Sequence, residues 1–433
     1  MCLGVKVFKS RFMRVMVSLT VLFSIPAFSI DYRANKGTVS PDDGYRYDHV
    51  AQIALGLGKA TKAFSSKEMQ QIREALDSNR PVPAKLSNDW QKLVRMAQAA
   101  SLVAEQPNFF PFGVEFETYN PKVWASDDFG SGAKAIGKLI EGTAGLKRSK
   151  IKEETALFVD EMKREWPLMK EYAREIDYGM KSGWELSSPP FMQPEELQHL
   201  ASFAWKLGKS PYGQSNKMTG AHQTFNVIPK GEKADSALVA RAAANAMLLQ
   251  QQYLPTLYRL LDVKRWGGYE NTYFRPFLFD HGDLLEKMSK ADPATLDLPK
   301  LQQILLNASQ KEFNIQVESS GNYDQESIDE MRKEWTQEQK KSLRENWKYR
   351  DLQIRFNQEK PERTLVETRI GDWVADRPER MLVQSYLYQR LLDKAYEMAK
   401  EGKIWDLKIP ERKAEETDKQ WPTSSKIRWK PPA

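Results

Sequence analysis

Thiol chemistry is almost absent from these 433 residues: the only cysteine is Cys2. Disulfides within the chain and a thiolate nucleophile are thereby excluded for everything after that position, and the remainder is indifferent to an oxidising compartment. Histidine is scarce too. Four occur, His49, His199, His222 and His281, without a His-Glu-x-x-His helix or a His-rich cluster, so zinc hydrolase chemistry has little to build on. A Gly-x-Ser-x-Gly elbow is missing, and so is any internal repeat. Gly132 to Lys138 carries the glycines and lysine of a phosphate loop. However, Leu139 stands where Ser or Thr should hold magnesium, and no apolar strand precedes the segment, so the match reads as chance.

The one apolar run, Val15 to Ile25, is shorter than the roughly 20 residues a bilayer span needs. Lys6, Lys9, Arg11 and Arg14 precede it, and Ala27-Phe28-Ser29 follows, the three-part pattern of a cleavable export signal ending at Ser29. The expectation is an exported protein, periplasmic or secreted, with no stable membrane span once the signal is removed. The first 29 residues contain no acid, so their loss lowers the formal charge from +7 to +3. A balance so near neutrality gives no reason to expect nucleic acid.

With 41% hydrophobic and 11% aromatic residues, the rest is composed like a globular protein with a large core. The reading along the chain is a signal over 1–29, a polar leader and helical extension over 30–105, a main domain over 106–403, and a tail over 404–433. Within the extension, Ser65 and Glu68 form a candidate capping box ahead of Ile72, Ala75 and Leu76. Helices are expected near 151–176, 194–207 and 234–261, and an amphipathic one through Leu387, Leu391, Ala395 and Met398 ends near Gly402. Strands are expected at 109–119, 184–187, 222–228, 272–279 and 364–370. The stretch 324–356 is densely charged, with an apolar stripe at Ile328, Met331 and Trp335, and its basic cluster Lys340, Lys341, Arg344, Lys348 and Arg350 reads as a solvated helix face in preference to an anion site.

What the chain does have is carboxylates placed where strand alternation makes them conspicuous. In Phe112-Gly-Val-Glu115-Phe-Glu117, the two acids share one face while Val114 and Phe116 point to a core. Two carboxylates roughly 6 to 7 Å apart make a poor core and a good cation site. Later fragments add Glu185 in Trp-Glu-Leu, His222 with Thr224 and Asn226 on one strand face, Arg275, and Glu367 aligned with Arg369. Each has a plain structural alternative, such as a solvated sheet face or an ordinary same-face salt bridge.

Taken in order, these fragments resemble the amidoligase family, carboxylate-amine ligases with a glutamine synthetase type of catalytic fold. The similar segments are Phe-Gly-Val-Glu115-Phe-Glu117, Trp184-Glu185-Leu-Ser-Ser-Pro-Pro, Gly220-Ala-His222-Gln-Thr-Phe-Asn-Val, Phe274-Arg275-Pro276 and Val366-Glu367-Thr-Arg369. Thr224 departs from the pattern, standing where the family commonly has a second histidine. The resemblance implies an α/β chain with a curved, largely antiparallel sheet, helices packed behind it, and a site on the open face. It implies ATP and Mg²⁺ (or Mn²⁺) as cofactors, and a small-molecule or peptide carboxylate and an amine as substrates. Glu115, Glu185 and Glu367 would hold one metal, and Glu117 and His222 a second that bridges the phosphates. Thr224 and Asn226 would lie by the nucleotide, and Arg275 and Arg369 would hold the γ-phosphate or the substrate carboxylate. An exported protein normally meets little ATP, so a non-catalytic binding protein using the same cleft for a peptide or cell-wall fragment is the alternative. Phosphotransfer to a different acceptor is a third reading.

Overall fold

The structure is a computed structural model. It describes residues 41–78, 80–104, 106–124, 129–175, 179–216, 219–261, 277–306 and 351–408, with a few positions between 325 and 333. The expected signal segment, Arg275, most of the charged stretch and the tail beyond 408 lie outside the described residues.

The chain divides into two compact units after Ala97. Helices α1 (Pro41–Thr61), α2 (Ser66–Asp77) and the start of α3 (Ala84–Ala104) form the first. The Ser65 hydroxyl accepts the Glu68 N–H at 3.3 Å while the Glu68 carboxylate accepts the Ser65 N–H at 2.9 Å, so the expected capping box starts α2. Ile72 and Ala75 then fall on its buried side.

The second unit is built on an open sheet of eight strands, β1 (Phe112–Trp124), β2 (Arg148–Ile151), β3 (Thr155–Val159), β4 (Glu165–Glu175), β5 (Gly179–Ser187), β6 (Ala221–Asn226), β7 (Leu352–Arg355) and β8 (Leu365–Thr368). Their order across the sheet is β2-β3-β4-β5-β1-β6-β8-β7, and every pairing is antiparallel. The expected combination of an antiparallel sheet and helices is therefore present.

Strand alternation sorts the two faces. One buries Phe116, Trp166, Trp184, Leu186, Phe225 and Val366. Helices α4 (Phe129–Ala144), α5 (Leu197–Lys209) and α8 (Glu379–Lys400) cover it. Phe203 of α5 sits 5.6 Å from Phe116 and 5.1 Å from Trp166, and Tyr388 of α8 stacks on Phe225 at 5.7 Å. The glycines that imitate a phosphate loop belong to this packing. Both lie inside α4, where a Cβ on Gly132 would come within 2.3 Å of the Trp184 ring and one on Gly137 within 2.8 Å of Phe158. Behind α8 runs α6 (Ser236–Leu261), joined to it by the Tyr388 hydroxyl donating to Gln250 Oε1 at 2.6 Å. Residues 403–408 are tied back onto α6 and onto α7 (Phe277–Ser289): Trp405 N–H donates to Asn245 Oδ1 at 2.7 Å, and Leu407 N–H to Ser289 Oγ at 2.7 Å.

Two sequence expectations are corrected. The region 151–176 is not helical but supplies the end of β2 and all of β3 and β4. Its apolar residues recur at period two, Ala156 with Phe158 and Trp166 with Leu168, each pair buried. Pro167, which a helix interior tolerates poorly, pairs with Leu157 within the sheet. The strand expected over 272–279 gives way, where described, to the start of α7 at Phe277. The charged stretch ends in β7, where Leu352 and Ile354 are buried, while its basic cluster from Lys340 to Arg350 lies outside the described residues. Among the described residues no helix is long and apolar enough to cross a membrane.

Candidate metal and anion site

Register brings the marked residues together. On β1, Glu115 is the partner of His222 on β6, and Glu117 is the partner of Glu185 on β5. One strand further, Glu367 on β8 pairs with Thr224 on β6 and with Gln353 on β7. Partners across antiparallel strands project to the same face, as do residues two apart along a strand. Glu115, Glu117, Glu185, His222 and Glu367 therefore converge on the face opposite the helices, with Arg369 following Glu367 and Arg355 following Gln353.

The imidazole of His222 is only 1% exposed and lies between two carboxylates. Its Nδ1 is 3.7 Å from Glu115 Oε2, and its Nε2 is 3.4 Å from Glu117 Oε1. The second oxygen of Glu117 accepts the backbone N–H of Gly220 at 2.7 Å. Glu367 is fully buried and held by two guanidinium groups: Arg369 Nη1 donates to Oε1 at 2.8 Å, and Arg355 Nη2 donates to Oε2. The same Arg355 nitrogen lies 3.9 Å from Glu115 Oε1.

Burial and the neighbouring acids shift the titration of Glu185 and of Arg369. Burial, followed by the charges of Glu115 and Glu117, raises the Glu185 carboxyl to about 7; Arg369 opposes this and Glu367 adds to it. Burial works against the charged form of Arg369, but the carboxylates of Glu367, Glu117 and Glu115 outweigh it and raise its pKa.

Glu115, His222 and Glu367 each offer one donor atom, all within 4.8 Å of one another. Two hard carboxylate oxygens and an imidazole nitrogen fit a small divalent cation, and Mn²⁺ tolerates the nitrogen better than Mg²⁺ does. No protein-family model, no curated protein and no solved structure matches the chain. The site must be read from its own residues.

Of the positions singled out in the sequence, Glu115, Glu117, Glu185, His222, Glu367 and Arg369 lie on this one face. Thr224 and Asn226 are on the same face of β6, half-buried, opposite Glu367 and Leu365. Arg275 lies outside the described residues. The same-face ion pair allowed for Glu367 and Arg369 is formed. Sequence reasoning missed Arg355 and Gln353. The signal was the alternation in Leu352-Gln-Ile-Arg355, hidden at the end of a stretch whose charge density suggested a solvated helix.

Proposed function

We propose that the chain is an ATP- and Mg²⁺-dependent carboxylate-amine ligase, forming an amide or isopeptide bond through an acyl phosphate. The observation that carries the reading is the convergence of Glu115, His222 and Glu367, with donor atoms within 4.8 Å, beside Glu117, Glu185 and Arg369 on one sheet face. The resemblance to the amidoligase family, read from those residues and from Arg275, supports it. An open antiparallel sheet with carboxylates on one face and helices on the other is compatible with a glutamine synthetase type of catalytic fold.

The residue chemistry suits the reaction. The γ-phosphoryl group passes from ATP to a carboxylate oxygen with release of ADP; an amine then attacks the carbonyl, expels phosphate and loses a proton. A bound divalent ion would offset the charge of the phosphates and the carboxylate as they approach. Glu115, His222 and Glu367 would hold it, with Glu117 and Glu185 adjoining. Arg369, whose side chain is 12% exposed, presents a planar fork suited to a phosphate or carboxylate. Glu185, with a pKa of about 7, gives up its proton near neutral pH, so cation binding should release protons. The test is phosphate release from ATP with Mg²⁺, pooled amino acids and cell-wall peptides, compared with Glu117→Gln. Equal release from both proteins overturns the assignment.

A second reading has one observation in its favour. Both oxygens of Glu367 are already engaged by Arg355 and Arg369, so the cluster is partly neutralised by its own side chains. A binding protein that holds a peptide or cell-wall fragment in this cleft would need no ion. It would bind such fragments with EDTA present and release no phosphate.

A further inference from the structure

Resting on the metal-site reading above, we propose that Arg355 is an exchangeable counter-cation. Its guanidinium holds the cation position between Glu115 and Glu367, yields it to a divalent ion, and is thereby freed to bind an oxyanion.

The geometry sets up a direct competition. Arg355 Nη2 donates to Glu367 Oε2 and lies 3.9 Å from Glu115 Oε1. Glu115 and Glu367 supply two of the three donors in the candidate metal triad. An ion coordinated by both carboxylates would lie where that nitrogen now draws them together. Glu367 has no spare oxygen, since Arg369 takes Oε1. One guanidinium must therefore yield before Glu367 can ligate an ion through an oxygen free of other partners.

Arg355 is the one built to leave. Its side chain is 26% exposed against 12% for Arg369. It ends β7, the edge strand of the sheet, whereas the Arg369 N–H is tied to the Asp351 carbonyl at 3.0 Å. Its Nε is buried without a hydrogen-bond partner, so the fork keeps an unfilled donor on the edge that an oxyanion would use. A guanidinium is also weakly hydrated and keeps its charge at any working pH, so it can stand in for an ion and later serve an anion without a change of protonation. Metal and oxyanion binding are then coupled: the ion displaces the arginine, and the oxyanion captures it.

The test uses the full chain, stripped with EDTA and titrated with Mn²⁺ by calorimetry, with and without sulfate as the oxyanion probe. Wild type should bind Mn²⁺ more tightly when sulfate is present. Arg355→Met should bind Mn²⁺ about tenfold more tightly than wild type without sulfate, because no internal cation competes, and should lose the sulfate effect. Its melting temperature should also rise more on adding Mn²⁺ than that of wild type. Unchanged or weaker Mn²⁺ binding by the variant overturns the exchange while leaving the metal site standing, and no sulfate effect in wild type overturns the oxyanion role. Absence of Mn²⁺ binding from both proteins overturns the metal reading as well. If Arg355→Met does not fold, Arg355→Lys carries the test. A lysine lacks the fork, so Mn²⁺ should bind more tightly than to wild type by a smaller factor, and affinity equal to wild type overturns the exchange.

Discussion

Glu117 grips His222 from the neighbouring strand in two ways: Oε1 lies 3.4 Å from the imidazole Nε2, and Oε2 accepts the N–H of Gly220, two residues earlier, at 2.7 Å. One carboxylate thus places both the ring and the backbone that carries it. Glu117→Gln keeps an oxygen for Gly220 but loses the charge, and should cost about 1 kcal/mol; Glu117→Ala strands a buried N–H and should cost about 2 to 3. Urea unfolding with EDTA present measures both, and equal stability of the three proteins would contradict the contact.

Glu185 should make the metal-free protein less stable as pH rises. Its carboxyl is raised from 4.5 to about 7, so between those values the folded state holds a proton that the unfolded state has lost. The favourable contribution is complete below the lower value and falls away through the upper one, by roughly 3 kcal/mol in all. Glu185→Gln should flatten that slope and be the more stable protein at pH 8, read from denaturant midpoints in EDTA across the range. A wild-type profile that is level from pH 5 to 8, or one that rises, would refute the shift.

Divalent ions should raise the melting temperature. An ion that binds only the folded chain, at about a hundred times its dissociation constant, should lift the midpoint by several degrees, about 3 °C or more, with Mn²⁺ ahead of Mg²⁺ because of the imidazole. His222→Ala should reduce or remove the shift. Identical midpoints in EDTA, Mg²⁺ and Mn²⁺, with and without ATP, would speak against a metal at this face.

Gly132 answers to packing alone. Its missing Cβ leaves room for the Trp184 ring, which would otherwise come within 2.3 Å, so Gly132→Ala should destabilise by about 1 to 3 kcal/mol through forced repacking. The Mn²⁺-induced shift should persist, because Trp184 projects to the helix-covered face while Glu185 projects to the other. Loss of metal binding without loss of stability would show that the glycine serves the site directly.

Much of the second unit was legible because its signals are local. Phe112 to Glu117 alternates so regularly that both the buried and the charged face of β1 can be read from six letters. Helices α5, α6 and α8 stand out for the same reason, each carrying a long apolar periodicity. The segment 151–176 misled because its charged residues at helical spacing masked the two-residue period of Trp166 and Leu168. Arg355 was hidden for a related reason. A four-residue strand presents too few alternations to stand out beside a long charged run, and only its pairing with β8 gives the arginine a role.

By itself, the sequence determined which strand face each acid would occupy, because alternation is a property of the backbone and needs no partner. It also determined that thiol chemistry plays no part after Cys2 and that α2 is capped at Ser65. Only the tertiary structure decided that Glu115 meets His222, that Glu117 meets Glu185, and that Glu367 lies between two arginines. Those meetings depend on strand order and register, which arise from burying the aromatic face under three helices. Residues more than a hundred positions apart become neighbours when that face closes, and a cluster of acids and arginines is held on the opposite one.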